Sequence, residues 1–175
     1  MAAALREVLT YDPIVVGGTA EEYWTAADYH ETDLDLCAPL TESDRRSLTS
    51  LGFRKQGRHW YHARAHVAVE FPDSRIDGDE SRTHEEPVGE GMARIIGLDD
   101  LYMDRLKQDT MSEEREGIEF QSALAVATST FDAIDWAYVG ARIRGLVETD
   151  TSPGESMKRL DARIRRRVRR LLSES

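Results

Sequence analysis

The feature that constrains this chain most is a segment in which carboxylates alternate with leucines, Thr32-Asp33-Leu34-Asp35-Leu36. This alternation predicts a β-strand, because successive side chains of a strand point to opposite faces of a sheet. The two aspartates then share one face, and the two leucines share the other. Neighbouring carboxylates repel each other, and Mg²⁺ removes that repulsion because it prefers carboxylate oxygens as ligands. The segment therefore predicts a cation-binding face on a sheet.

A second stretch, earlier in the chain, predicts a strand, a tight turn and a helix. The apolar run at residues 14–16 is typical of a strand that is covered on both faces. Gly17 and Gly18 follow it, and glycines allow a tight turn and leave room for a ligand near the backbone. Thr19 is a good N-cap, so we expect a helix over about 20–27. The start of that helix would offer backbone N–H groups to phosphate oxygens.

A third carboxylate lies on a later predicted strand at residues 67–71. On this strand Glu70 shares a face with Ala68, which is small and leaves space for a ligand. If the strand lies beside that of Asp33 and Asp35, Glu70 joins them on one surface. Three carboxylates on two adjacent strands make a plausible two-metal site, of the kind that activates the attacking oxygen and stabilises the leaving oxygen in an in-line displacement at phosphorus.

The remaining segments predict an α+β fold in which a mixed sheet precedes a helical region. We assign residues 1–97 to the α/β core, 98–148 to helices, and 149–175 to a linker and a basic C-terminal helix. In the core we expect helices at 2–9 and 41–51 (the latter capped by Thr41 or Ser43), a strand at 53–62, a loop at 72–91 with a weak edge strand at 85–88, and a short segment at 93–97. In the rest we expect helices at 98–107, 117–130, from 129–132 to about 147, and 156–172, with the linker at 149–154.

The composition is strongly acidic, with 33 acidic against 23 basic residues and a formal net charge of -10. Only three of the basic residues are lysines, a balance that resembles the proteins of salt-loving archaea, where salt screens self-repulsion. An ordinary acidic cytosolic protein is the alternative. No apolar run approaches the length of a membrane-spanning helix. With a single cysteine, Cys37, the sequence predicts a cytoplasmic protein without a membrane segment.

The charge reverses near the C-terminus. Between Lys158 and Arg170 there are eight basic residues and one acidic residue, Asp161, so this segment carries +7 and the remainder of the chain -17. Apolar residues recur in it at helical spacing and predict one buried stripe, formed by Leu160, Ile164, Val168 and Leu171. Clustered arginine favours contact with tRNA or other RNA, with DNA, or with an acidic partner. The alternative is a helix that docks on the acidic surface of its own chain.

The order of these motifs resembles the DNA polymerase β-like nucleotidyltransferases. That superfamily has a Gly-Gly or Gly-Ser pair on a strand–helix turn, which matches Gly17 and Gly18. An Asp-x-Asp or Asp-x-Glu segment follows, matching Asp33 and Asp35, and a third carboxylate lies on a later strand, matching Glu70. The chain is most similar to the small prokaryotic nucleotidyltransferases of toxin–antitoxin and abortive-infection systems.

The resemblance covers roughly residues 10–110 and implies a magnesium-dependent enzyme. Asp33 and Asp35 would bind both Mg²⁺ ions, and Glu70 would bind one of them and help to deprotonate an acceptor hydroxyl. The reaction would transfer a nucleoside monophosphate from an NTP to that hydroxyl, on an RNA end, a protein side chain or a small molecule, and release pyrophosphate.

The resemblance also implies a nucleotide-binding set. Gly17, Gly18 and Thr19 would hold the triphosphate, and Lys107 or Arg105 would steady the phosphates. Two departures from the family pattern are a gap of fourteen residues before the first aspartate and a glutamate as third carboxylate. They leave open a second function, that of a catalytically weak or inactive binding or regulatory module of a toxin–antitoxin pair, with an antitoxin or other protein as partner.

Three histidines lie close together in the middle of the core. His59, His62 and His66 favour a zinc site by residue type, but no cysteine pair accompanies them, and solvent-facing hairpin histidines are the alternative. Trp60 and Tyr61 lie between His59 and His62. We expect one of the two to lie in the core and the other at the surface, and stacking on a nucleobase is the alternative.

Overall fold

The computed structural model describes residues 1–26, 33–112, 114, 116–149 and 151–174. The chain divides into two compact units, Met1–Gly97 and Leu98–Ser175. Within these described ranges, the first contains a seven-stranded mixed sheet, and the second is helical. The predicted α+β class, a mixed sheet followed by a helical region, is confirmed.

The first unit alternates helices and strands along the chain. Its elements are α1 (Ala2–Arg6), β1 (Ile14–Val15), α2 (Gly17–Thr25), β2 (Asp33–Cys37), α3 (Glu42–Ser50), β3 (Arg54–Gln56), β4 (His59–His62), β5 (Val67–Glu70), a 3₁₀ turn (Glu80–Arg82), β6 (His84–Val88) and β7 (Gly91–Ile95). The strand order is β3-β4-β5-β2-β1-β7-β6. The β1–β7 and β2–β5 pairs are parallel, and the other pairs are antiparallel. The strand that carries the alternating carboxylates therefore lies in the centre of the sheet.

The burial pattern along β2 follows the alternation seen in the sequence. Leu34 and Leu36 are buried, whereas Asp33 is exposed and Asp35 is half-buried. Burying the leucines removes apolar surface from water, which stabilises this register over one shifted by a single residue. The carboxylates are thus presented on one face because the leucines occupy the other.

Helix α3 begins with a complete capping box. The Thr41 hydroxyl accepts a hydrogen bond from the Asp44 backbone N–H, and the Asp44 carboxylate accepts one from the Thr41 N–H at 2.8 Å. The same carboxylate accepts three further hydrogen bonds, from the Thr41 hydroxyl and from the N–H and the hydroxyl of Thr10. The predicted cap at Thr41 is therefore confirmed, and Asp44 also ties α3 to the segment after α1.

Two predicted segments of the first unit differ from the structure. The strand expected at 53–62 is a hairpin of β3 and β4, because Gly57 adopts a φ of +60° and reverses the chain between them. The edge strand expected at 85–88 is present as β6. Its partner β7 overlaps the short segment expected at 93–97, which was not predicted to be a strand.

The described residues of the second unit form four helices: α4 (Leu98–Met111), α5 (Ile118–Ser129), α6 (Trp136–Thr149) and α7 (Thr151–Glu174). All four belong to one compact unit, Leu98–Ser175. Helix α6 begins later than predicted, because Asp135 caps it by accepting hydrogen bonds from the N–H groups of Ala137 and Tyr138. None of the helices in the described ranges is both long and apolar enough to cross a membrane.

The linker predicted at 149–154 is wrong, because α7 already starts at Thr151. Pro153 is tolerated there because the first turn of a helix needs no backbone donor. Gly154 does not break the helix but permits close packing, since a Cβ atom at this position would lie 2.5 Å from the backbone nitrogen of Val147. Leu171, predicted to be in the buried stripe of α7, is exposed at the end of the helix.

Buried carboxylates with several partners connect the helices of the second unit. The Asp100 side chain is fully buried and accepts hydrogen bonds from the Tyr138 hydroxyl at 2.7 Å and from Arg142 at 3.0 Å. Asp161 on α7 accepts one from the buried Tyr102 hydroxyl at 3.0 Å and pairs with Arg165. These contacts attach α6 and α7 to α4.

Candidate functional site

The pairing of β2 with β5 brings the predicted carboxylates onto neighbouring strands. Asp35 lies opposite Glu70, and Asp33 lies opposite Ala68. Residues in register on parallel strands point to the same face, and so do residues two apart on one strand. All three carboxylates therefore belong to one face of the sheet, with the small Ala68 next to Asp33.

Gly17 is the position in the site where a residue with a side chain would be tolerated least. Its φ is +64°, in the left-handed region that favours glycine. A Cβ atom here would collide with the Asp35 carboxylate, lying 2.8 Å from Asp35 Cγ. The backbone supports the same approach, because the N–H of Val16 donates a hydrogen bond to the Asp35 carbonyl at 3.0 Å. The glycine turn and the second aspartate of the motif are thus in direct contact.

The helix after the turn starts earlier than the sequence predicts. Thr19 was expected to be the N-cap, but α2 begins at Gly17 with Val16 as its N-cap, so Thr19 and Gly18 lie in the first helical turn. The reason is the left-handed Gly17, which turns the strand directly into the helix. The Thr19 hydroxyl instead donates a hydrogen bond to the Asp33 carbonyl at 3.3 Å. Residue 27, where the helix was expected to end, and Thr32 lie outside the described residues.

The start of α2 has the features of an anion site. The first turn of any helix has N–H groups without partners inside the helix, and the helix dipole adds partial positive charge there. In this chain those N–H groups belong to the Gly17–Thr19 segment, and Thr19 fixes the helix start to β2. A phosphate bound at this turn would lie close to Asp35, because Gly17 contacts it.

Glu70 has two partners that the sequence reasoning did not anticipate. Its Oε2 lies 3.2 Å from Arg58 Nε and 3.2 Å from His59 Nε2, and its side chain is 13% exposed. His59 is the register partner of Glu70 on the antiparallel strand β4. The turn between the predicted strands could have revealed this pairing. If His62 lies opposite Val67 across an antiparallel hairpin, His59 lies opposite Glu70, three residues further from the turn on each strand. Asp35, Glu70 and His59 therefore form a row across three strands.

The carboxylates of the site are chemically suited to bind a divalent cation, but their present arrangement suits one less well. Carboxylate oxygens are the ligands that Mg²⁺ prefers, and the ion pair with Arg58 indicates that this face attracts positive charge. Across the part of the chain that the structure describes, however, no group of three or more His, Cys, Asp or Glu side chains is arranged to hold a metal ion. A metal at Glu70 would have to compete with Arg58 and His59.

The three histidines do not form a common site. His59 contacts Glu70, whereas both ring nitrogens of His62 make hydrogen bonds, with the Leu51 carbonyl and the Ala65 N–H, each at 3.0 Å. His66 lies in the exposed turn between β4 and β5 with a φ of +51°. Trp60 is buried in the core, so it is not a platform for a nucleobase.

The two cationic candidates for phosphate contact lie on α4, in the second unit. Lys107 is exposed. Arg105, the alternative, is buried and donates a hydrogen bond to the Gln108 side chain at 2.8 Å, which makes it a poor candidate for a ligand from solvent. The phosphate contact of Lys107 stays a prediction.

Comparison with known proteins adds no relative. No protein-family model matches the chain, and no curated protein or solved structure matches it.

Proposed function

We propose that this chain is a magnesium-dependent nucleotidyltransferase that transfers a nucleoside monophosphate from an NTP to an acceptor hydroxyl and releases pyrophosphate. The observation that carries the proposal is the convergence of three separate sequence motifs. The glycine turn touches Asp35, and Asp35 lies in register with Glu70. We call Asp33, Asp35 and Glu70 the carboxylate row. A phosphate-binding turn that meets such a set of carboxylates is what phosphoryl transfer needs.

Each group has a role in this reaction. The N–H groups at the start of α2 would bind the phosphates, and Asp33, Asp35 and Glu70 would hold Mg²⁺, which would neutralise negative charge on the phosphate oxygens. The acceptor oxygen attacks the α-phosphorus, a new O–P bond forms, and the bond to pyrophosphate breaks. The hydroxyl proton passes to Glu70. Since NTP and Mg²⁺ abound in the cytoplasm, we also place the protein there.

A labelled-NTP assay tests the proposal. The full-length chain is incubated with α-labelled NTPs, Mg²⁺ and candidate acceptors, and transfer is compared between wild type, Asp35→Asn and Asp132→Asn. Asp132 is exposed in the second unit and does not belong to the proposed catalytic set, so its variant is a control for the same chemical change. We expect Asp35→Asn to lose more than about 100-fold in rate, because removing even a residue that only supports a metal ligand costs about 10- to 100-fold. Equal transfer by the two variants would rule the proposal out.

A second function is favoured by one specific observation. The Glu70 carboxylate already contacts Arg58 and His59, so it does not depend on a metal ion for a cationic partner. This favours a binding or regulatory module that uses the same fold without turnover, for instance as one member of a toxin–antitoxin pair with a protein partner. Calorimetry with NTP and Mg²⁺, run beside the transfer assay, separates the two. Nucleotide binding with no transfer, in wild type and in Arg58→Gln alike, would favour the module.

A further inference from the structure

Helix α7 presents a continuous basic surface on the side opposite its buried stripe. Five cationic side chains are exposed, and we call them the arginine face: Lys158, Arg159, Arg166, Arg169 and Arg170. At 3.6 residues per turn they fall within an arc of about 120° and extend over about 18 Å of helix. The opposite side is apolar and buried, with Met157, Leu160, Ile164 and Val168.

The basic residues of α7 separate into two groups by their contacts. Arg163 and Arg167 approach Glu116, and Arg165 pairs with Asp161, so these three are held by acidic groups of their own unit. Arg163 also lies over the Phe120 ring at 4.2 Å.

The arginine face has much weaker internal contacts. Lys158 pairs with Glu155, and Arg159 donates a hydrogen bond to the Ser156 hydroxyl, in both cases one turn earlier on the same helix. Among the contacts of the described residues, the side chains of Arg166, Arg169 and Arg170 make neither an ion pair nor a hydrogen bond. Docking on the chain's own acidic groups therefore accounts for the first group of arginines and leaves the arginine face for a partner.

The composition of the arginine face indicates the chemical class of that partner. Between its cations lies Ala162, and no aromatic or large aliphatic residue falls within the arc. Protein interfaces usually have an apolar, aromatic core, and single-stranded nucleic acid is usually bound by stacking of bases on aromatic rings. A duplex backbone needs only cations, and the guanidinium fork matches the geometry of phosphate oxygens. The face thus fits the phosphates of a nucleic acid duplex.

We infer that the arginine face binds duplex RNA through its phosphate backbone. The choice of RNA over DNA rests on the proposed transfer to a hydroxyl, since RNA carries a 2′-hydroxyl on each nucleotide. Binding as such depends on the face alone. The acidic remainder of the chain repels the same phosphates, which confines the contact to α7.

The test uses the full-length chain without NTP or Mg²⁺. A fluorescent RNA duplex of about 20 base pairs is titrated, and the affinity is measured over a range of KCl concentrations in which circular dichroism shows every variant folded. The triple variant Arg166→Gln, Arg169→Gln, Arg170→Gln should bind about 10- to 100-fold more weakly at the lowest salt. The slope of log K against log salt concentration should become shallower by about 2–3 units, since each lost phosphate contact removes roughly one.

The matched control is a second triple variant, Arg54→Gln, Arg64→Gln, Arg75→Gln. These arginines are exposed in the first unit, and their loss changes the net charge equally. We expect this variant to keep the affinity and the slope of the wild type.

Three results would overturn the inference: equal slopes for the two triple variants, tighter binding of a DNA duplex of the same sequence, or tighter binding of polyglutamate as competitor. Repeating the titration with Asp35→Asn separates this inference from the proposed function. Loss of transfer with unchanged RNA binding leaves the arginine face in place.

Discussion

The two units use carboxylates in opposite ways. In the helical unit, Asp100 is fully buried and surrounded by Tyr138 and Arg142. In the sheet unit, Asp33 is exposed and Asp35 is half-buried, and both lie on one face of β2. Aspartate therefore stabilises the buried core of the helical unit and lines an accessible surface in the sheet unit.

This difference teaches how to separate structural from functional charge. A buried carboxylate is stable only when hydrogen-bond donors or cations surround it, so its loss should lower the free energy of unfolding. A carboxylate on an accessible face contributes little to folding and can bind a ligand. Substitutions in the helical unit should therefore change stability, and those in the carboxylate row should change binding and transfer.

The largest effect on stability is expected for Asp100→Asn. Removing this charge leaves Arg142 facing an amide and breaks the pairing that holds α6 on α4, which should lower the free energy of unfolding by about 3–5 kcal/mol. Burial, and then the hydrogen bond to Asp100, raises the pKa of the Tyr138 hydroxyl, so this tyrosine remains a donor at neutral pH. Urea denaturation measures the change, with the exposed Asp132→Asn as control. A loss equal to that of the control would break the contrast between the units.

The next effect concerns the glycine turn. Gly17→Ala should lower the free energy of unfolding by about 2–4 kcal/mol, because it adds a strained left-handed residue and a collision with Asp35. Gly89→Ala is the matched control, since Gly89 has the same φ of +64° but no atom within 4 Å of its Cβ position. The control should cost about 1 kcal/mol. Thermal denaturation of both variants isolates the collision, and equal losses would show that Asp35 does not press on the turn.

A smaller effect sharpens the comparison within the sheet unit, which also has a structural carboxylate. Burial would raise the pKa of Asp44, but the hydrogen bonds from Thr41 and Thr10 outweigh it and hold the pKa below its usual value of 3.8. Asp44→Asn should lower the free energy of unfolding by about 2 kcal/mol at neutral pH, since an amide nitrogen cannot accept these hydrogen bonds.

The pH dependence of that effect has a definite sign. A lowered pKa in the folded state means that the ionised Asp44 stabilises the fold above the unfolded value, near pH 4, and that this contribution disappears as the pH falls through the folded pKa. The difference between wild type and Asp44→Asn should therefore shrink in acid. Denaturation at several pH values measures it, and a difference that grows below pH 4 would contradict the assignment.

Much of the sheet unit was predictable because its cues are local. The alternation along β2 and the capping box at Thr41 each involve residues no more than four apart, and both are present. The start of α2 was missed because Thr19 carries the side chain of a good cap, whereas the left-handed Gly17 had already begun the helix. The linker before α7 was missed because Gly154, a helix breaker by propensity, is required there by packing.

The sequence alone identifies the parts of the candidate site: two carboxylates on one face of a strand, a glycine pair before a helix, and a glutamate in phase on a later strand. Alternation and turn chemistry are short-range, so they can be read without the fold. Long-range strand pairing decides which of these residues meet. The register of β2 with β5 and of β4 with β5 puts Asp35, Glu70 and His59 in one row, and it brings Arg58 into an ion pair with Glu70. Burial likewise sorts the arginines of α7 into paired and exposed groups, a distinction that depends on which neighbours each helix meets in the folded chain.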